Sequence, residues 1–284
     1  MSKQSIYLSK HLQTEYSVVY KELCKVLDES GINHSLLPYS NDIWARDFMP
    51  VHVGGGLYLG YIYKPDYLFD KVRMRKYITE QKMAIRDLPI NYITQLDIVL
   101  DGGNFVFCDD KMIMTDKIFS ENPNVKQSTL INTLENACQK ELILIPWDME
   151  EKYGHADGMV SYIGNGKLLL NNYCQMGKDG KDFSKRLHKI LNSHFTVTEL
   201  QYSSPWEEMN SAYINYIETP SNVIIPALSV KHDSASDIAA LETFKQIFNK
   251  EILQVYAQPL IKNGGALHCI TWELFCKDAE EIAV

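Results

Sequence analysis

Gly158-Met159-Val160-Ser161-Tyr162-Ile163-Gly164-Asn165-Gly166-Lys167-Leu168-Leu169-Leu170-Asn171-Asn172 places two apolar, β-leaning runs on either side of a Gly-Asn-Gly turn, which is the pattern of a hairpin. The same pattern recurs at Phe48–Ile62 around Gly54-Gly55-Gly56, at Asn104–Ile118 around Asp109-Asp110, and at Ala212–Leu228 around Thr219-Pro220-Ser221-Asn222. Helix-like sequence follows each hairpin, near 67–86, 128–140, 181–193 and 235–249, and a short strand candidate closes each unit, at 90–94, 142–146, 195–200 and 252–256. The hairpins begin at 48, 104, 158 and 212, and another apolar run opens at Leu267, so a strand-strand-helix-strand unit recurs about every 55 residues. What remains is an N-terminal helix near Glu15–Ser30, a strand near His34–Leu37 and a C-terminal hairpin from Leu267. Together these two ends make a fifth unit. A last unit shared by both termini predicts a ring that closes on itself, a single five-unit α/β domain over residues 1–284.

Residues with chemistry fall at equivalent places in this register. Asp47 precedes the first hairpin, Asp101-Gly102-Gly103-Asn104 opens the second, His155 and Asp157 the third, Asn210 and Ser211 the fourth, and Cys269 the fifth. Equivalent positions in a ring converge on its axis, so these residues are expected to share one central pocket. A thiol, an imidazole and paired carboxylates suit attack on a flat, cationic carbon rich in N–H donors: thiolate is the nucleophile, histidine moves protons, and carboxylates hold a guanidinium fork. The partner expected from the residues alone is therefore a small cationic guanidino compound. A zinc site from His155, Asp157, His268 and Cys269 is disfavoured, because adjacent strand residues such as His268 and Cys269 point to opposite faces.

The chain has 284 residues, 45% of them hydrophobic and 23% charged, enough to bury a sizeable core. A formal net charge of −8 argues against nucleic acid as a partner. The cluster Lys71, Arg73, Arg75, Lys76 reads as a solvated helix face. No apolar leader precedes Tyr20 and no stretch reaches the roughly 18 apolar residues of a span, so the expectation is a cytoplasmic protein without membrane contact. The six cysteines lack C-x-x-C spacing, which predicts reduced thiols, and Cys24, Cys108, Cys138 and Cys276 read as small buried hydrophobes. No phosphate loop, metal or cofactor motif is present, because Gly54-Gly55-Gly56 lacks the lysine and helix start of one. A homo-oligomer is left open.

Five landmarks in order carry a specific resemblance: Trp44-Ala45-Arg46-Asp47-x-x-Pro50, Asp101-Gly102-Gly103-Asn104, Gly154-His155-x-Asp157, Ser211-Ala212-Tyr213-Ile214-Asn215-Tyr216 and Gly264-Gly265-x-x-His268-Cys269-Ile270-Thr271. The chain resembles the agmatine deiminase and bacterial peptidyl-arginine deiminase family, within the guanidine-modifying superfamily of five-bladed α/β propellers. The resemblance implies Cys269 as nucleophile, His155 as proton donor and then activator of water, and Asp47 and Asp157 as the grip on the guanidinium. Asp101 stands where relatives commonly carry glutamate, and is expected to orient His155, to touch substrate, or merely to cap its turn. Asn104 and Trp44 are further candidate substrate contacts. Arg46 either pairs with an acidic neighbour or meets the ligand, while Trp44 and Tyr213 are packing residues or an aromatic wall.

The reaction implied is hydrolysis of a guanidine to a ureido product and ammonia through a covalent thiouronium. Amidinotransfer on the same fold and a ring that only binds guanidines are the alternatives. Departures from the family pattern, Ala266-Leu267, Trp272-Glu273 and Glu208 where arginine is common, imply a changed reading of the substrate tail. Agmatine comes first, then free or peptide-terminal arginine.

Overall fold

The computed structural model describes residues 3–90, 92–148, 153–200 and 212–276. Its strands, in chain order, are β1 (Lys3–Ser9), β2 (Asn33–Leu37), β3 (Val51–Gly54), β4 (Leu57–Ile62), β5 (Tyr92–Val99), β6 (Val106–Cys108), β7 (Lys111–Thr115), β8 (Glu141–Ile145), β9 (Val160–Tyr162), β10 (Lys167–Leu170), β11 (Thr196–Glu199), β12 (Ile217–Glu218), β13 (Asn222–Ala227), β14 (Glu251–Tyr256) and β15 (Thr271–Cys276). They form five three-stranded sheets on one plan. A hairpin supplies an antiparallel pair, and a third strand returns parallel to the hairpin's second, giving β3-β4-β5, β6-β7-β8, β9-β10-β11 and β12-β13-β14. The middle strands β4, β7, β10 and β13 are covered on both faces, and their sequences are accordingly apolar with little alternation. Met112, Ile113 and Met114 of β7 and all six residues of β13 are buried.

The fifth sheet, β15-β1-β2, uses both ends of the chain: β15 runs antiparallel to β1, and β2 lies parallel to β1. This corrects one expectation. Among the described residues the stretch from Leu267 is a turn followed by one strand rather than a hairpin, and the strand that pairs with it is Lys3–Ser9, in a segment read only as lacking an apolar leader. Ile6 and Leu8 of that strand are fully buried beside partly exposed neighbours, a two-residue period too short to stand out among Lys3, Gln4 and Ser5.

Helices Ser17–Glu29, Gln127–Cys138, Gly177–Leu191 and Ala235–Ile247 lead into β2, β8, β11 and β14. Each buries a row at four-residue spacing: Val19, Leu23 and Leu27; Leu130, Leu134 and Cys138; Leu187 and Leu191; Ala240 and Phe244. The helix expected over 67–86 is broken into Asp66–Phe69, a 3-10 stretch at Val72–Tyr77, and Gln81–Ala84. Its polar side chains are drawn inward by neighbouring backbone. The Gln81 amide donates to Phe48 O and its oxygen accepts from Tyr61 N, and Thr79 Oγ1 accepts from Asn41 N. Lys71, Arg73, Arg75 and Lys76 are exposed there. Among the described residues no helix is long and apolar enough to cross a membrane. Cys24, Cys108, Cys138, Cys174 and Cys269 are free thiols.

Candidate active site

Each sheet's first strand is entered through a tight turn, and these five turns carry the site. They are the single helical turn Ala45–Phe48 before β3, Gly102–Asn104 before β6, Ala156–Gly158 before β9, the 3-10 turn at 212–214 before β12, and the turn at 267–270 before β15. Gly103 N donates to Asp47 Oδ1 at 3.2 Å, and Ala156 N to Asn104 Oδ1 at 3.3 Å. Asn215 Nδ2 donates to Asp157 Oδ2 at 3.4 Å, His268 N to Asn215 O at 3.2 Å, and Arg46 N to Cys269 O at 3.1 Å. Every turn is thus bonded to the next, and the fifth to the first. The expected convergence of Asp47, Asp101, His155, Asp157 and Cys269 is what the side chains show. Asn210 and Ser211, the residues expected from the fourth unit, lie outside the described residues, as does Glu208.

His155 is buried between two carboxylates, with Nε2 3.0 Å from Asp101 Oδ2 and Nδ1 3.4 Å from Asp47 Oδ1. Burial opposes its charge, but Asp47 and the Asp101 hydrogen bond outweigh that, and its pKa rises to about 10. At neutral pH it is an imidazolium with its Nε2–H committed to Asp101. Burial pushes Asp47 up to about 7, with Asp101 and Asp157 adding like charge against the pull of His155. Asp157 goes the other way. Burial would raise it, but His268, 2.6 Å away through Nδ1, together with His155 and Arg46, holds it below the usual carboxylate value.

Gly103 marks where these groups meet. A Cβ there would stand 2.7 Å from Asp47 Oδ1, 2.7 Å from His155 Nδ1 and 3.3 Å from Asp157 Oδ1. Asp157 Oδ1 is buried without a hydrogen-bond partner, as is Asp101 Oδ1. An orphaned carboxylate oxygen beside a second carboxylate and a proton donor is costly unless a cationic N–H donor completes it.

Cys269 is 8% exposed, and its Sγ lies 3.8 Å from Asp157 Oδ2 and 3.2 Å from Asn215 Nδ2. Burial, then Asp157 and Asp47, hold the thiol well above its ordinary value. His268 and Cys269 both reach Asp157 because they lie on a turn, so the strand-alternation argument against their meeting does not hold here.

The remaining candidates divide. Arg46 is held by Glu273, at 2.6 and 2.7 Å to its two oxygens, so of its two readings the structure has the ion pair. Asn104 spends its oxygen on Thr115 N and Ala156 N. Trp44 lies over the cysteine loop, where a Cβ at Gly265 would come within 2.4 Å of its ring. Tyr213 is fully buried and donates to Asp237, which makes it a packing residue.

Four side chains at the site were not assigned to it from the sequence: Asn215, His268, weighed there only as a zinc ligand, Lys117 and Tyr67. Asn215 and His268 stand inside motifs singled out for other reasons. Lys117, 1% exposed, has no sequence signal at all. Its ammonium sits 3.2 Å from Asp66, 3.2 Å from Glu121, 3.9 Å from Asp101 and 2.7 Å from Tyr153 O. Tyr67 donates to Asp47 Oδ2 at 3.3 Å, which brings the Asp66–Phe69 turn onto the site.

The sequence profile of the Porphyromonas-type peptidyl-arginine deiminase family matches residues 11–274. A Lactococcus lactis protein, named as an agmatine deiminase without confirmation, is 23% identical over 82% of this chain and 74% of its own length. Among solved structures, a C. jejuni agmatine deiminase superposes with a TM-score of 0.75 at 18% identity, over 96% of this chain and 94% of that one. A Pseudomonas aeruginosa DDAH in complex with citrulline superposes with a TM-score of 0.61 at 12% identity, over 96% of this chain and 100% of that one. At such identities the superpositions speak to the fold alone.

Proposed function

The chain belongs to the Porphyromonas-type peptidyl-arginine deiminase family, and from that premise we propose that it is a cysteine-dependent deiminase that hydrolyses a small guanidine, agmatine first, to a ureido product and ammonia. The observation that carries the reading is the orphaned Asp157 Oδ1 converging with Asp47 Oδ1 and His155 Nδ1 around Gly103, within one turn-circuit of the Cys269 thiol. We take the five sheets as one closed propeller domain, supported by the turn-to-turn hydrogen bonds and by the shared terminal sheet.

In this reading Asp47 and Asp157 accept N–H bonds from the guanidinium and fix its plane. The resting thiol is protonated, since burial and two carboxylates disfavour charge on sulfur. A bound cation compensates those carboxylates and makes the thiolate accessible, the thiol proton passing to solvent, where the released ammonia takes it up as ammonium. Sγ then bonds to the guanidinium carbon, giving a tetrahedral adduct. His155 gives its Nδ1 proton to a departing nitrogen, the C–N bond breaks, ammonia leaves, and an S-amidino thioether, formally a thiouronium, remains on Cys269. Now neutral, His155 takes a proton from water, the hydroxide oxygen bonds to the same carbon, the C–S bond breaks, and the proton of the new hydroxyl passes to the departing sulfur, which returns the thiol and the ureido product. Asp101 holds Nε2, and with it the ring, throughout.

The substrate tail is read by groups outside this constellation. Arg46 is occupied by Glu273, which favours agmatine over a substrate whose carboxylate needs a buried arginine. Ammonia release over a panel of agmatine, arginine, arginyl peptides and short guanidino acids tests the proposal, with Cys269→Ala as control. Turnover abolished in the variant supports it. Consumption of guanidine only in the presence of an amine acceptor, without ammonia, replaces it with amidinotransfer.

A further inference from the structure

We infer that Asn215 is a catalytic residue, the neutral donor that carries the Cys269 sulfur through its anionic state. The inference rests on Cys269 as the nucleophile of the proposed deiminase. The amide orientation follows from its partners. Two backbone N–H groups, of Cys269 at 3.1 Å and Ala266 at 3.2 Å, donate to one terminal atom of the side chain, which must therefore be Oδ1. The other terminal atom is then the NH2 group, 3.2 Å from Cys269 Sγ and 3.4 Å from Asp157 Oδ2. Its two hydrogens match these two acceptors. Asn215 is 4% exposed and its own carbonyl oxygen accepts from His268 N, so side chain and backbone together hold the 266–269 turn.

The pseudo-symmetry gives the position meaning. Asp47, Asp101 and Asp157 are the carboxylates that the first three turns bring to the centre, and Asn215 is what the fourth brings. A guanidinium needs anions on its nitrogens, whereas the sulfur attacking it needs a donor. A carboxylate at the fourth position would face the nucleophile with like charge, and an apolar residue would leave it to burial. The Ala266 amide and the Asn215 amide are the groups that pull the thiol down against burial, Asp157 and Asp47. Charge-assisted donation to a thiolate strengthens as the sulfur ionises, and so acts on the transition state more than on the resting thiol.

Asn215→Asp and Asn215→Ala test the inference. The aspartate keeps an acceptor for both backbone amides but replaces the donor with like charge, while the alanine removes the donor without adding charge and so decides the matter. Alkylation of Cys269 by iodoacetamide is followed across pH, with Cys269→Ala giving the background from the other thiols. The midpoint for Cys269 is expected to rise by about one unit or more in both variants, slowing alkylation about tenfold below that midpoint. The melting temperature of Asn215→Asp is expected to stay within a few degrees of wild type. A rise below about half a unit in Asn215→Ala overturns the inference and leaves Asn215 as scaffold for the turn. Alkylation requires no substrate, so the two proposals fail separately: a shifted midpoint in a protein that releases no ammonia sustains Asn215 as the donor to the Cys269 sulfur and sinks the deiminase.

Discussion

Gly103→Ala is the smallest change that probes the site's geometry without altering its chemistry. The backbone there lies outside the left-handed region, so alanine adds no conformational strain. The new methyl carbon would stand 2.7 Å from both Asp47 Oδ1 and His155 Nδ1, where ordinary contact begins near 3.4 Å. Those two side chains must therefore recede by about 0.7 Å, away from the Asp157 oxygen they share the pocket with. Displacements of about 1 Å cost roughly 10²-fold in rate, so kcat/KM for agmatine is expected to fall about a hundredfold, close to 2.7 kcal/mol in the barrier. The bond from Gly103 N to Asp47 is strained in the process, at about 1 kcal/mol, a few degrees of melting temperature for a chain of this size. Gly158→Ala is the control, since no atom lies within 4 Å of its Cβ, and it should retain near-normal turnover. Steady-state ammonia release and thermal melts on both variants decide the matter. A Gly103→Ala protein within threefold of wild type would refute the proposed packing of Asp47, His155 and Asp157 around the reacting carbon.

His155 gives a pH signature in stability. Its pKa is raised from 6.5 to about 10, so its contribution is fully present below about 6.5 and is lost as pH rises through about 10; the melting temperature should fall across that window, and a His155→Asn protein should lack most of the decline. Asp47, pushed up to about 7, should make kcat/KM fall as pH drops through about 7, because protonation removes the charge that holds the guanidinium, and Asp47→Asn should abolish turnover. Lys117→Met would remove the buried ammonium that pairs with Glu121 and Asp66 and leave Asp101 to His155 alone, a loss of about 3–5 kcal/mol expected to lower the melting temperature by roughly ten degrees, and unchanged melting would refute the ion cluster. Glu273→Gln would leave Arg46 half-neutralised beneath the Cys269 turn, so kcat should drop several-fold with little change in KM; the split is read from full saturation curves.

What could be read from the chain was whatever local physics repeats. The four hairpins announce themselves because β-leaning runs meet turn residues such as Asn165 and Asp109, both at positive φ, and three crossover helices because their apolar rows recur at four-residue spacing. Long-range demands were not legible. Lys3–Ser9 becomes a central strand only because β15 and β2 flank it, and the 67–86 segment loses its helix because Gln81 and Thr79 serve backbone groups far away in sequence. In the site, Asp47, Asp101, His155, Asp157 and Cys269 were found through register. Asn215 and Lys117 were not, since an amide inside an apolar run and a lysine after a strand gain their meaning only from the sulfur and the carboxylates that the fold sets beside them.

The central claim is that Cys269 bonds to the guanidine carbon during turnover. Its most direct test is intact-protein mass spectrometry on samples acid-quenched while the protein consumes agmatine. The account predicts a transient mass increase equal to substrate less ammonia, mapped to Cys269 by peptide analysis and absent from Cys269→Ala, together with a ureido product in solution. Ammonia and ureido product formed at wild-type rate by Cys269→Ala would contradict it outright.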